Sequence, residues 1–266
     1  MSHSLRYTVN CSLLFTELPL NERPAAARKA GFDAVEFWWP FASPVPADRE
    51  VDAFVEAIAD AGVHLSGLNF FAGELPGPDR GVLSQPSRAQ EFRDNLDVVV
   101  GIARRTGTKA FNALYGLRQD GVDPAEQDRV GLESIVAAAE AVRAVDGTVL
   151  IEPVSGAEGY PVKTAADGLE VVGKARAAGA ANVALLADFF HLAVNGDDVA
   201  AAVRDHAAEF GHVQIADAPG RGEPGTGALP LQELLAAAQA GGYDGYVGLE
   251  YKPTVPTAES FGWIGR

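Results

Sequence analysis

Gly179–His191, GAANVALLADFFH, carries in one short stretch the unit from which the whole chain is built. A glycine closes the segment before it, an apolar run VALLA follows, and the run ends on polar groups, Asp188 and His191. The same order, amphipathic helix then glycine then β-like run, occurs seven times, at Gly31, Gly62, Gly107, Gly147, Gly179, Gly211 and Gly242. The runs that follow are FDAVEFWW, VHLSGLNF, TKAFNALYG, TVLIEP, AANVALLADFFH, HVQIAD and YDGYVGLEY. Glycine just past a helix end is the expected C-cap, because it enters the left-handed conformation without steric cost. With the opening segment RYTVNCSLLF, the chain reads as eight strands separated by helices.

The strands are short and nearly all apolar in the middle, as parallel strands covered on both faces should be. Strict alternation implies right-handed βαβ units. Eight such units in 266 residues fit an α/β chain folded as a single closed (β/α)8 TIM barrel, one domain over residues 1–266. A doubly wound open sheet competes with it, but no glycine-rich dinucleotide fingerprint follows the first strand. The helices have the right period. DREVDAFVEAIADAG, Asp48–Gly62, puts Val51, Phe54, Val55 and Ile58 on one face. PSRAQEFRDNLDVVVGIARRTG, Pro86–Gly107, spaces Phe92, Leu96, Val99 and Val100 similarly, with Ser87 as the expected N-cap.

Composition narrows the function. Hydrophobic residues at 47% and charged residues at 21% describe a soluble globular protein. A net charge of −15 argues against a nucleic-acid partner and requires a local cation for any anionic substrate. One cysteine, Cys11, excludes an intrachain disulfide and a cysteine-based zinc site. MSHSLRYTVN lacks the charged and apolar regions of a signal peptide, and no apolar run is long enough to span a bilayer. The expectation is a cytoplasmic protein with no membrane partner, with homo-oligomerisation left open.

In a barrel of this kind, function collects at the C-terminal ends of the strands. Those ends carry Glu36, Asn69, Asn112, Glu152, Asp188 with His191, Gln214 with Asp217, and Glu250. Glu152, Asp188, Gln214 and Glu250 each close an apolar run, where a polar group is costly unless paired or metal-bound. One carboxylate at a strand end is more often a helix cap or an ion-pair partner than a ligand. Three converging on one barrel mouth would force a proton onto at least one of them, unless a cation intervened. Three carboxylates and an amide oxygen suit one divalent ion, Mg2+ or Mn2+, better than Zn2+.

The pieces LIEP, ADFFH, GHVQIAD, GRGEPGTG and GLEYKP resemble the hydroxypyruvate isomerase family of the xylose-isomerase-like TIM barrels, as do VEFWWP, FFAGELPGPDRG and EFRDNL. The likeness runs from about VNCSLLF to EYKPT, and GHVQIAD followed by RGEPGTG is its most specific part. The resemblance implies a metal site on Glu152, Asp188, Gln214 and Glu250, with Glu152 and Glu250 also the acid/base pair. It further implies that His191, Arg221 and Glu158 face the substrate. The related ketose 3-epimerases carry histidine where this chain has Gln214, which favours the hydroxypyruvate branch.

The chemistry expected is interconversion of hydroxypyruvate and tartronate semialdehyde. A metal stabilises the enediolate as charge develops, and a carboxylate moves the proton between adjacent carbons. Arg221 and Lys252 follow catalytic strands, and Arg80 lies in the GPDRG loop. These three cations are candidates for the substrate carboxylate, and Arg221 can grip it with two bonds. Lysine in such a place is commonly just solvated. Phe15, Phe37, Trp38, Trp39, Phe70 and Phe71 follow the first three strands. Trp38 and Trp39 cannot both point inward, so one lines the pocket or a dimer contact. His212 shares the face of Gln214 and reads as a hydrogen-bonding support or as a core histidine. Competing readings are a ketose 3-epimerase or other sugar or 2-oxo-acid isomerase, and a catalytically silent binding protein. An apurinic-site endonuclease, with many metal-bound histidines, is disfavoured by five histidines and by the charge.

Overall fold

The computed structural model describes residues 3–264. Its strands are β1 Arg6–Asn10, β2 Ala34–Phe37, β3 His64–Asn69 and β4 Ala110–Asn112. They continue as β5 Thr148–Ile151, β6 Val183–Asp188, β7 Phe210–Ile215 and β8 Tyr246–Leu249. All pair in parallel and in chain order, and β1 closes on β8 through Arg6↔Tyr246 to Val9↔Leu249. Closure leaves no free edge, so the open-sheet alternative is excluded.

The principal helices are α1 Arg23–Lys29, α2 Asp48–Ala61, α3 Ala89–Thr106 and α4 Pro124–Arg143. After these come α5 Ala165–Ala177, α6 Phe189–Val194, α7 Val199–His206 and α8 Leu231–Ala240. Their apolar stripes face the strands, which buries both from water. In α2 the stripe buries Phe54, Val55 and Ile58, and Phe54 meets Phe37 of β2 edge-on at 5.1 Å. In α3, Phe92 lies 5.4 Å from Phe70, just past β3. Among the described residues no helix is long and apolar enough to cross a membrane.

Three local expectations are corrected. Ser87 is not a cap: it sits in a 3-10 turn, Pro86–Arg88, and α3 starts after Arg88 without a side-chain cap. Gly147 is not left-handed; Asp146 takes that conformation instead, at φ 52°. A side chain at 147 would meet Phe111 at 2.7 Å and Val142 at 2.8 Å, so space is the reason for that glycine. Gly211 lies inside β7, where a Cβ would stand 2.6 Å from Leu150 Cδ2 and 2.8 Å from Ala184 Cβ. Gly211→Ala should therefore cost about 1–3 kcal/mol through overpacking. An unchanged urea midpoint would show that the wall gives way freely. The other five glycines do adopt positive φ, at Gly31, Gly62, Gly107, Gly179 and Gly242.

Candidate active site

The short strands decide where the polar groups stand. Glu152 is the first residue past β5, and Glu250 the first past β8. Asp188 ends β6, and Gln214 lies near the end of β7, in register with Asp188 on one side and Gly248 on the other. The barrel mouth thus gathers the four residues read from the strand ends. Ligand atoms of Glu152, Asp188, His191 and Glu250 lie within 4.8 Å of one another. Relative exposures are 4% for Glu152, 1% for Asp188, 5% for His191, 3% for Gln214 and 3% for Glu250, so bulk water screens none of them.

Each carboxylate has one oxygen held from behind. Asn112 Nδ2 donates to Glu152 Oε2 at 2.6 Å. The backbone amides of Phe190 and His191 donate to Asp188 Oδ1 at 2.8 and 3.2 Å, so Asp188 is also the N-cap of α6. Asn10 Nδ2 and Gln214 Nε2 donate to Glu250 Oε2 at 2.8 and 2.6 Å. The second oxygens differ. Asp188 Oδ2 and Gln214 Oε1 are buried without a hydrogen-bond partner, and Glu250 Oε1 accepts from Arg221 Nη2 at 2.6 Å. Glu152 Oε1 faces His191 Nε2 at 3.8 Å. A buried carboxylate oxygen and a buried amide oxygen left unpaired are costly. Their presence beside two more carboxylates fits a cation, and an all-oxygen set suits a hard divalent one.

Protonation follows from burial. Burial, reinforced by the charge of Asp188, pushes the Glu152 carboxyl up to about 8. Burial also raises Glu250 well above the ordinary range, opposed by Arg221, with Glu152, Asp188 and Glu36 adding to the rise. Desolvation pushes His191 down to about 4, so its ring is neutral near pH 7. The Ser155 amide donates to His191 Nδ1 at 3.1 Å, with Ser155 Oγ at 2.7 Å. An amide N–H can only donate, and so can the Arg221 guanidinium, whose Nη2 lies 3.3 Å from His191 Nε2, so each nitrogen of the neutral ring faces a donor. His191 Nε2 also lies 3.6 Å from Asp188 Oδ2. The neutral His191 ring lines the cleft, and the amide oxygen of Gln214 stays buried and unpaired.

Beside this mouth lies a cleft of about 540 Å3. Leu13, Trp38, Leu75, Leu114 and Phe190 supply apolar wall, and Arg80, Arg221 and Lys252 line it with positive charge. Arg221 adopts φ 60°, its guanidinium lies 5.2 Å from the Phe190 ring centre, and its backbone ties to Asp217 O and Lys252 N. Asp217 organises this loop instead of joining the site, accepting from Ala218 N, Leu229 N and Gly225 N at 3.0, 3.0 and 2.8 Å. Arg80 Nη1 donates to the Gly77 and Asp79 carbonyls, each at 2.6 Å. Lys252 is exposed on the rim.

Glu158 is not brought to the cleft. It is exposed in the turn after Gly156, where its charge keeps its water, and Ser155 and Gly156 line the cleft in its place. The tryptophan pair divides: Trp38 lines the cleft, while Trp39 is buried and donates from Nε1 to Ser43 O at 2.9 Å. Sequence patterning does not distinguish Asn10 or Ser155. Asn10 ends β1 just as the ligand candidates end their strands, and that position was the available signal. Ser155 had none.

The family described as xylose isomerase-like TIM barrel matches residues 24–266. A Streptomyces coelicolor protein provisionally named hydroxypyruvate isomerase is 54% identical, covering 97% of this chain and 95% of its own length. A 2-oxo-tetronate isomerase from Cupriavidus necator is 31% identical, covering 97% of each. Among solved structures, a Brucella melitensis protein described as an AP endonuclease of family 2 superposes with a TM-score of 0.87 at 30% identity, over 98% of both chains.

Proposed function

The chain belongs to the xylose isomerase-like TIM-barrel family and is an isomerase of it, and from that premise we propose that it interconverts hydroxypyruvate and tartronate semialdehyde. The observation that carries the reading is the pair Glu152 and Glu250. Each has one oxygen held by a side-chain amide and the other turned into a shared, buried mouth. Glu152, Asp188, Gln214 and Glu250 would hold one Mg2+ or Mn2+, which would supply Lewis-acid stabilisation of negative charge on the substrate oxygens.

The residues of the chain do the rest. One glutamate takes the proton from C3 and the other delivers one to C2 of the enediolate, in the order set by the direction of reaction. The hydroxyl proton moves from O3 to O2, so two hydrogens shift and no redox partner is needed. His191, neutral near pH 7, meets the substrate without adding charge to the cleft. Trp38 and Phe190 narrow the cleft against water. Arg221, Arg80 and Lys252 offer the substrate carboxylate the local cations that a chain of net charge −15 must provide.

A longer 2-oxo acid is the second reading, favoured by the 2-oxo-tetronate isomerase likeness and by a cleft larger than a three-carbon acid requires. Incubation with hydroxypyruvate, 2-oxo-tetronate and free ketohexoses, each with Mn2+ or Mg2+, separates the readings. Turnover of ketohexoses alone would replace the 2-oxo-acid assignment with a sugar epimerase or isomerase. Lys252→Met should raise KM several-fold with kcat nearly unchanged, because rim charge contributes uniform binding. A fall in kcat with KM unchanged would place Lys252 in the chemistry instead. Cleavage of abasic DNA is not expected, since His191 is the single histidine lining the cleft among the described residues.

A further inference from the structure

We infer that Glu36 is a positioning residue for the cation site: its carboxylate locks the amide of Gln214 so that the oxygen, not the nitrogen, is left as a ligand atom. This rests on the reading of Glu152, Asp188, Gln214 and Glu250 as the ligand set. Glu36 stands inside the barrel at 3% exposure and is not one of the clustered ligand groups. One glycine clears its path: a Cβ on Gly248 would lie 2.5 Å from Glu36 Oε1.

Both oxygens of Glu36 are occupied. Oε1 accepts from Asn10 Nδ2 at 3.0 Å and from Gln214 Nε2 at 2.8 Å, while Oε2 meets His212 Nε2 at 2.7 Å. Amide nitrogens only donate, so Glu36 acts toward Asn10 and Gln214 purely as an acceptor. Gln214 Nε2 is therefore shared between two carboxylates, Glu36 Oε1 and Glu250 Oε2. Turning the amide over would set its oxygen against both carboxylates. The orientation is thus fixed, and the orphaned Oε1 of Gln214 is its consequence. Asn10 repeats the bridge, donating to the same two carboxylate oxygens, so Glu36 also steadies Glu250. His212 prevents the Glu36 carboxylate from rotating away. A leucine at position 36 would leave Gln214 Nε2 with Glu250 alone to hold it, and the lock would be lost. Losing a partner that orients a ligand typically costs about 10–100-fold in metal affinity.

The test measures Mn2+ binding by titration calorimetry, together with the paramagnetic resonance spectrum of the bound ion, on the full chain. Glu36→Leu should raise the Mn2+ Kd about 10–100-fold and alter the spectrum at saturation. His212→Asn, too short to reach Oε2, should raise Kd in the same direction by less. It decides the matter alone if Glu36→Leu does not fold. Wild-type affinity and spectrum in a folded Glu36→Leu, or in His212→Asn where that variant decides, overturn the role of Glu36 while leaving the cation site standing. So does a loss of melting temperature with affinity and spectrum intact, which marks a merely structural residue. A wild-type protein that takes up no Mn2+ sinks the cation reading itself, and the positioning role with it.

Discussion

Glu152→Gln is expected to lower kcat by about 10^2–10^4-fold or more while the metal-free protein keeps its stability. The two halves have separate causes. The side chain is buried, and glutamine preserves its volume, so packing changes little. Asn112 Nδ2 donates to Oε2 at 2.6 Å, so a glutamine must turn its oxygen toward Asn112 and its NH2 into the mouth. The site then loses a base and an anionic ligand and gains a donor in their place. The folded metal-free protein loses nothing comparable, because burial beside Asp188 already pushes the Glu152 carboxyl up to about 8, leaving it mostly protonated near pH 7. Steady-state kinetics with hydroxypyruvate and a melt in chelator measure the two halves. Activity above about one-hundredth of wild type would reject Glu152 as a member of the acid/base pair, on the lower bound for such catalysis.

Chelation carries the second large effect, and its sign depends on pH. Glu152 and Glu250 both have raised folded-state values, with Glu152 moving from 4.5 to about 8. Between those values the folded state binds more protons than the unfolded chain, so metal-free stability falls as pH rises. The slope reaches about 1.4 kcal/mol per pH unit for each carboxyl while it titrates. A divalent ion replaces those protons, so its stabilisation should grow over the same window, adding about 2.7 kcal/mol at a hundredfold excess over Kd. The melting midpoint in EDTA should thus decline from about pH 5 to about pH 8, while with Mn2+ it stays level or rises, and EDTA should abolish turnover. Midpoints and activity indifferent to EDTA across that range would remove the cation from the site.

The parts of the molecule legible in the sequence are those written in local chemistry. Periodicity placed α2 and the body of α3, and five of seven glycines mark helix ends because only a left-handed residue fits there. Gly147 and Gly211 looked identical in the sequence but are glycine for space, since the atoms that exclude a side chain come from distant segments. Ser87 has the right chemistry for a cap, yet the chain spends it in a 3-10 turn.

The candidate site divides the same way. Polar residues ending apolar runs cannot be buried without partners, so Glu152, Asp188, Gln214 and Glu250 announce themselves in one dimension. For Glu152, Gln214 and Glu250, which atom is held and which is free depends on Asn10, Asn112 and Glu36, brought from other strands by closure of the barrel. Glu158 shows the converse: it sits close to Glu152 in sequence, but the turn after Gly156 leaves it in solvent. The sequence by itself determined the alternation of strands and helices and the identity of the groups at the mouth, because burial and backbone preference act residue by residue. Only the tertiary structure decided their orientation, their protonation and the company each keeps, because hydrogen bonds and charge act across space between residues far apart in the chain.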